Sequence, residues 1–225
     1  MLIRNRIEQA ARSAGREAAS VRLLAVSKTF PADAVKTAWQ EAGQLCFGEN
    51  KVQELEVKAP ALDPSIEWHL IGHLQNNKVR PALKFAAWIH SVDSLALWER
   101  IQRIAAEDGR APKLLLEVNV SGEASKFGLK PEATDDIMRQ AVACGNGPAP
   151  IVGLMTMAPA ESSPEVLHQV FGGLRQLRDR LQERYGIPLQ ELSMGMSGDF
   201  EAAIADGATI VRVGSAIFGH RDYTV

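Results

Sequence analysis

Short apolar runs alternate with longer amphipathic stretches along the whole chain. The runs fall at residues 22–27, 45–48, 67–71, 88–92, 114–120, 151–156, 191–195 and 209–213. Each has the length of a strand rather than of a helix. The stretches between them repeat apolar residues at helical spacing. The clearest covers 164–185, where Leu167, Val170, Phe171, Leu174, Leu177 and Leu181 mark one face, although Gly172 and Gly173 each cost about 1 kcal/mol against alanine. A further helix opens the chain, with Ile3, Ile7, Ala10, Ala11 and Ala14 in step.

Strict alternation of strand and helix implies parallel strands, and the largely continuous apolar character of the runs implies that both of their faces are covered. A doubly wound open sheet meets those conditions. Eight repeats of roughly 25 to 30 residues fit a closed barrel better, near the lower end of that fold's size range. The predicted fold is therefore α/β, a single (β/α)8 TIM-type barrel with an extra N-terminal helix. The loose segment at 145–150 is short enough to be one loop, and residues 1–225 are expected to form one domain.

Charge and composition narrow the function classes. The 225 residues carry 25 basic and 27 acidic side chains, with no basic run and no interleaving of basic and aromatic residues, so nucleic acid is not an expected partner. Charges interrupt the apolar residues of the first segment, which excludes a signal peptide or membrane span there and points to the cytoplasm. Cys46 and Cys144 are the only cysteines and read as buried small hydrophobes. His69 and His73 are four apart, but the segment reads as a strand passing into a loop and offers no clear third ligand, so no metal is expected.

The candidate chemistry starts at Lys28, which ends the first apolar run directly before Thr29-Phe30-Pro31. An apolar strand brings such a side chain to the rim of a core, where partial burial favours the neutral amine and makes it a nucleophile able to form a Schiff base. A lysine snorkelling to water is the alternative. In a barrel, functional groups sit at the C-terminal strand ends, and phosphate is commonly held by the loops after strands seven and eight. The first loop holds Ser197 and Gly198 in a small polar turn before a helix, with an ordinary helix cap the other reading of Ser197. The second holds Gly214 and Ser215, where glycine permits close backbone approach and serine adds a donor. Closure places strand eight beside strand one, and so Lys28 beside both loops. A Schiff-base lysine next to a phosphate cradle is the arrangement that pyridoxal 5'-phosphate (PLP) requires. Arg212, near the end of strand eight, could donate to the pyridine nitrogen and keep it unprotonated; an ion pair in the barrel rim is the other reading.

Seven ordered segments carry a resemblance over nearly the whole chain. They are Leu24-Ala25-Val26-Ser27-Lys28-Thr29, Phe47-Gly48-Glu49-Asn50, residues 68–78, residues 117–128, Gly153-Leu154-Met155, Ser193-Met194-Gly195-Met196-Ser197, and residues 212–219. With these the sequence resembles the pyridoxal phosphate homeostasis proteins, relatives of the N-terminal barrel of alanine racemase. The resemblance implies that Lys28 is the lysine carrying PLP, that Ser197, Gly198, Gly214 and Ser215 bind its phosphate, that Arg212 faces the pyridine nitrogen, and that Asn50 lines the same pocket. Lys51 departs from the tyrosine usual in the family after Gly-Glu-Asn, and Gly198 from a frequent acidic residue. Met155 and Met157 near the end of strand six read as packing residues, with contact to the cofactor ring the other reading of Met155, and Lys126 reads as a solvated lysine, with the mouth of the pocket as its other reading.

Racemisation needs an acid or base on each face of the substrate α-carbon, and Lys28 can serve only one. In the racemase relatives the opposing tyrosine comes from a second domain. Tyr185, at the end of a surface helix, and Tyr223, in the tail, are unconvincing substitutes. The expected function is a non-catalytic PLP-binding protein of intracellular PLP homeostasis, holding the cofactor as a Schiff base on Lys28 for buffering or for delivery to PLP-dependent apoenzymes. Slow PLP-dependent racemisation or transamination is the main alternative, and a cofactor-free Schiff-base aldolase a further one. A monomer is expected.

Overall fold

The computed structural model describes residues 2–123 and 127–219. Eight parallel strands close into a barrel in chain order. They are β1 (Arg22–Val26), β2 (Cys46–Glu49), β3 (Glu67–Leu70), β4 (Trp88–Val92), β5 (Lys113–Glu117), β6 (Ile151–Met155), β7 (Glu191–Ser193) and β8 (Ile210–Val213). All eight apolar runs are strands, and the closed barrel displaces the open sheet. The fifth run was read too long. After Glu117 the chain leaves the strand ladder, and Val118 bridges Leu129 instead.

The closing pair is β1 with β8, in register from Arg22 opposite Ile210 to Ala25 opposite Val213. Inside the barrel, Leu24, Trp88, Leu115, Met155 and Ile210 form an apolar plug separate from the larger core under the helices. Successive side chains of a strand alternate between the two faces, so inward positions climb in steps of two. From Leu24 they reach Val26 and Lys28, from Ile210 they reach Arg212 and Gly214, and from Leu115 they reach Glu117. Polar groups at these inward positions therefore stand at the mouth, above the apolar plug. At the opposite end of the barrel, Trp88 is flanked by the Arg22 guanidinium, 5.0 Å from its ring, and the Lys113 ammonium at 4.7 Å.

The helices α1 (Leu2–Ser13), α2 (Ala32–Ala42), α3 (Val52–Lys58), α4 (Val79–Leu83), α5 (Leu95–Asp108), α6 (Thr134–Ala143), α7 (Pro164–Tyr185), α8 (Phe200–Ala205) and α9 (Ser215–Phe218) surround the sheet. The extra helix α1 buries Ile3, Ile7 and Ala11 and packs on α8, where Arg6 Nε donates to Glu201 at 2.9 Å. It thus supports the helix that follows the first phosphate-loop candidate. Of the two glycines in α7, Gly173 has a packing reason, since a Cβ there would lie 3.0 Å from the Val120 side chain. The cysteines correct an expectation. Cys46 is half-buried and Cys144 is exposed, because Cys144 lies just past the last turn of α6, beyond the buried Ala141. No helix among the described residues is long and apolar enough to cross a membrane.

Candidate functional site

A cavity of about 640 Å3 opens at the C-terminal ends of the strands, within the range typical of small-molecule sites. Lys28, Asn50, Ser197, Gly198, Arg212, Gly214 and Ser215, the seven residues singled out in the sequence, all line it. Parity and barrel closure bring them together from β1, β2, β7 and β8.

Lys28 is half-buried at the cavity wall and leaves β1 through a tight turn in which the Phe30 N–H donates to the Ser27 carbonyl at 3.1 Å. Thr29 inside this turn has φ +70°, a left-handed conformation uncommon for a β-branched residue, and its N–H donates to Glu54 Oε1 at 2.6 Å. Behind the turn, on the outer side of the barrel, Lys58 Nζ donates to Glu49 Oε1 at 2.8 Å and to the Ser27 carbonyl at 2.9 Å, while Ser27 Oγ donates to Glu49 at 2.6 Å. Burial pushes the Glu49 carboxyl up against the pull of Lys58. This buried ion pair fixes the residue directly before Lys28.

The β7 loop turns at Gly195, φ +91°, where a Cβ would meet Ala203 Cβ at 2.6 Å, so glycine is required. Asp199 precedes α8 and accepts from the Met196 N–H at 2.5 Å; Ser197 is therefore a turn residue and not the helix cap. Among the described residues no acceptor takes the N–H groups of Ser197, Gly198 or Ser215, which leaves them free for an anion. A Cβ on Gly198 would meet nothing within 4 Å, and one on Gly214 would approach the Val26 carbonyl oxygen at 3.1 Å. Two hydroxyls and uncovered amides from two facing loops are a donor set that fits a phosphate.

Arg212 is buried below this cradle. Nη1 donates to Ser193 Oγ at 2.7 Å and Nη2 to the Thr156 carbonyl at 2.9 Å, and burial lowers its pKa to about 10, so it stays charged at neutral pH. Two of its five N–H donors are held in this way, and the residue lines the cavity. Rim ion pairing, the alternative reading, is not what holds it. On β5, across the barrel from β1, burial and the neighbouring Asp93 raise Glu117 to about 7.

Several lining residues escaped sequence reasoning, among them Ile71, His73, Glu117, Phe127 and Met157. Glu117 could have been found, since it is the one charged residue inside 114–118 and sits two positions after Leu115. Met155 is a packing residue buried in the apolar plug and does not reach the cofactor ring, whereas Met157, one inward step further, lines the cavity. His73 is on the rim, where it bonds Asp93 at 2.9 Å and stacks on Phe127, whereas His69 is deep inside the barrel, so the two do not converge. Lys51 is exposed and does not line the cavity. Tyr185 ends α7 and donates to Asp135 Oδ1 at 2.5 Å on the outer surface. Ala124, Ser125, Lys126 and Tyr223 lie outside the described residues.

A sequence profile described as "Alanine racemase, N-terminal domain" matches residues 2–222. The pyridoxal phosphate homeostasis protein of Aquifex aeolicus is 42% identical over 97% of this chain and 95% of its own. That of Homo sapiens is 40% identical over 99% of this chain and 85% of its own. The solved structure of PipY from Synechococcus elongatus with PLP bound superposes with a TM-score of 0.84 at 41% identity, covering 95% of this chain and all of that one. An alanine racemase from Clostridium difficile, at 17% identity and TM-score 0.72, shares the fold and is covered over 56% of its length. By sequence and by architecture the chain belongs to the pyridoxal phosphate homeostasis protein family.

Proposed function

We propose that this protein binds PLP in the barrel-mouth cavity, holds it reversibly on Lys28, and serves intracellular PLP homeostasis by buffering the cofactor or passing it to apoenzymes. The observation that carries this reading is the convergence of an amine, two anion-binding loops and a buried guanidinium on one cavity. When bound, the cofactor supplies an aldehyde that exchanges between water and amines. Lys28 would hold the cofactor through its amine, and the aldehyde would supply a linkage that water can reverse. Ser197, Gly198, Gly214 and Ser215 hold the phosphate, and Asn50 closes the wall beside β2. Arg212 donates to the pyridine nitrogen and, being charged, keeps a proton off it, which weakens the ring as an electron sink and suits storage more than chemistry. The protein acts as a cytoplasmic, monomeric, single domain over residues 1–225.

Reduction of the loaded protein with borohydride is expected to fix cofactor mass on the peptide containing Lys28, and Lys28→Ala to abolish both the adduct and the visible absorbance of the bound cofactor. An adduct elsewhere with Lys28 unmodified would overturn the assignment. Delivery is tested by mixing loaded protein with an apoenzyme and a trap for free PLP. Activation no faster than through free cofactor leaves storage alone.

Glu117 favours a second reading, slow amino-acid chemistry. A carboxyl raised to about 7 on the wall facing β1 could carry a proton to the face of a substrate that Lys28 does not reach. Deuterium exchange at an amino-acid α-carbon above that of free PLP, and lost in Glu117→Gln, would establish catalysis; a carrier shows neither.

A further inference from the structure

A line of buried polar groups runs through the barrel below Arg212. Arg212 Nη1 is 2.7 Å from Ser193 Oγ, which is 2.9 Å from His90 Nδ1; His90 Nε2 is 2.9 Å from His69 Nδ1, and His69 Nε2 is 3.0 Å from Glu67 Oε1. Ser193, His90 and His69 have no exposed surface, and the His69 ring is stacked on Trp88, 5.2 Å between centroids and 6° from parallel. Nothing in the binding of PLP described above uses His90, His69 or Glu67.

The direction of every bond in this line is determined. Arginine can only donate and an ionised carboxylate can only accept, so Ser193 Oγ accepts from Nη1 at one end and Glu67 accepts from His69 Nε2 at the other. Burial lowers the proton affinity of both imidazoles, that of His90 most, and keeps them neutral. A neutral ring that accepts at Nδ1 carries its hydrogen on Nε2. His69, with its hydrogen on Nε2, therefore accepts at Nδ1 from His90 Nε2, and His90 accepts at Nδ1 the one hydrogen of Ser193. The carboxylate that ends the line is stabilised by that last bond and held down to about 2, so it only accepts.

We propose that Glu67, His69, His90 and Ser193 act as positioning residues for Arg212, a one-way hydrogen-bond chain that carries orientation from one end of the barrel to the cofactor-facing guanidinium at the other. The Ser193 anchor together with the Thr156 carbonyl fixes the plane of the guanidinium and turns its remaining donors to the cavity. Cys46 shares the Glu67 end, its donor atom lying with those of Glu67 and His69 within 4.8 Å. Burial pushes its thiol up to about 11, and the His69 nitrogen already bonds the carboxylate, so the cluster terminates the chain rather than holding a metal. The part of the proposal that concerns PLP rests on the function proposed above; the order of the hydrogen bonds does not.

Nitrogen-15 NMR of the cofactor-free protein tests that order. Both His69 and His90 are expected as neutral Nε2–H tautomers at neutral pH. An Nδ1–H tautomer or an imidazolium at either ring overturns the chain, as does stoichiometric zinc uptake that shifts the His69 signals. In Glu67→Ala the His69 donor loses its acceptor, and both rings should become tautomer mixtures, with PLP bound about tenfold more weakly and its absorbance maximum shifted. Glu67→Gln keeps a carbonyl acceptor and should restore the wild-type tautomers and spectrum. If Glu67→Ala changes the tautomers but leaves PLP affinity and absorbance unaltered, the positioning role is overturned while the chain stands. A wild-type protein that takes up no PLP on Lys28 overturns the proposed function and leaves the tautomer result to decide the chain.

Discussion

At Thr29 the backbone is held in a conformation that suits asparagine or glycine better than threonine. Its φ of +70° costs about 1–2 kcal/mol for a residue with a Cβ, and the side chain is exposed, so little packing offsets it. The cost is sustained by neighbours on both sides, the Glu54 carboxylate on the Thr29 N–H and the Phe30 to Ser27 hydrogen bond. Thr29→Asn should therefore raise stability by ~1 kcal/mol, read as a higher urea midpoint at unchanged slope. A lower midpoint would show that the turn is not strained. The sequence announced Lys28 through the end of an apolar run, but the turn that aims it was not legible, because a left-handed threonine has no compositional signal. Glu49 and Lys58 were equally silent, for their pairing depends on α3 folding back over β2.

At the level of elements, strand positions were read well because each apolar run had turn residues on both sides. Strand β5 was overextended because Val118, Asn119 and Val120 continue an alternating pattern that the ladder does not follow. Parity was the underused signal. Counting inward positions from the plug gives Glu117 and Met157 and rejects Met155. Parity also says nothing about how closely two strands approach, and β6 and β7 are held close by a glycine. A Cβ on Gly153 would lie 1.9 Å from the Glu191 carbonyl oxygen, a contact with backbone that no side-chain movement relieves. Gly153→Ala should cost roughly 3 kcal/mol or more, against under 1 kcal/mol for alanine at the open Gly198, as measured by denaturant unfolding. Since β7 carries Ser193, the same variant should also broaden the His90 signals, which would be unaffected if the strand merely shifted as a rigid piece.

For the whole molecule, a barrel mouth built from buried charges makes stability depend on pH in a direction opposite to the usual one for salt-bridged carboxylates. Glu117 takes up its proton at about 7 in the folded chain against 4.5 ordinarily. Between these values the folded protein holds a proton that the unfolded chain has lost, so stability falls as pH rises through the window, by up to ~3 kcal/mol. Glu49 shifts in the same direction. Glu117→Gln should flatten part of the slope in urea unfolding between pH 5 and 7.5 and leave the Glu49 share, whereas an unchanged slope would mean that Glu117 ionises normally.

Barrel closure has a temporal side as well. Lys28 follows the first strand, and Arg212, Gly214 and Ser215 belong to or follow the last. A chain emerging from the ribosome through β7 already displays the amine but has neither the guanidinium nor the second loop, and without β8 nothing seats it beside the first. With the site proposed above, such a nascent chain would hold PLP no better than any other exposed lysine. On that proposal capture would be reserved for finished molecules, and products of stalled translation or proteolytic clipping before β8 would not draw on the cell's supply of the cofactor.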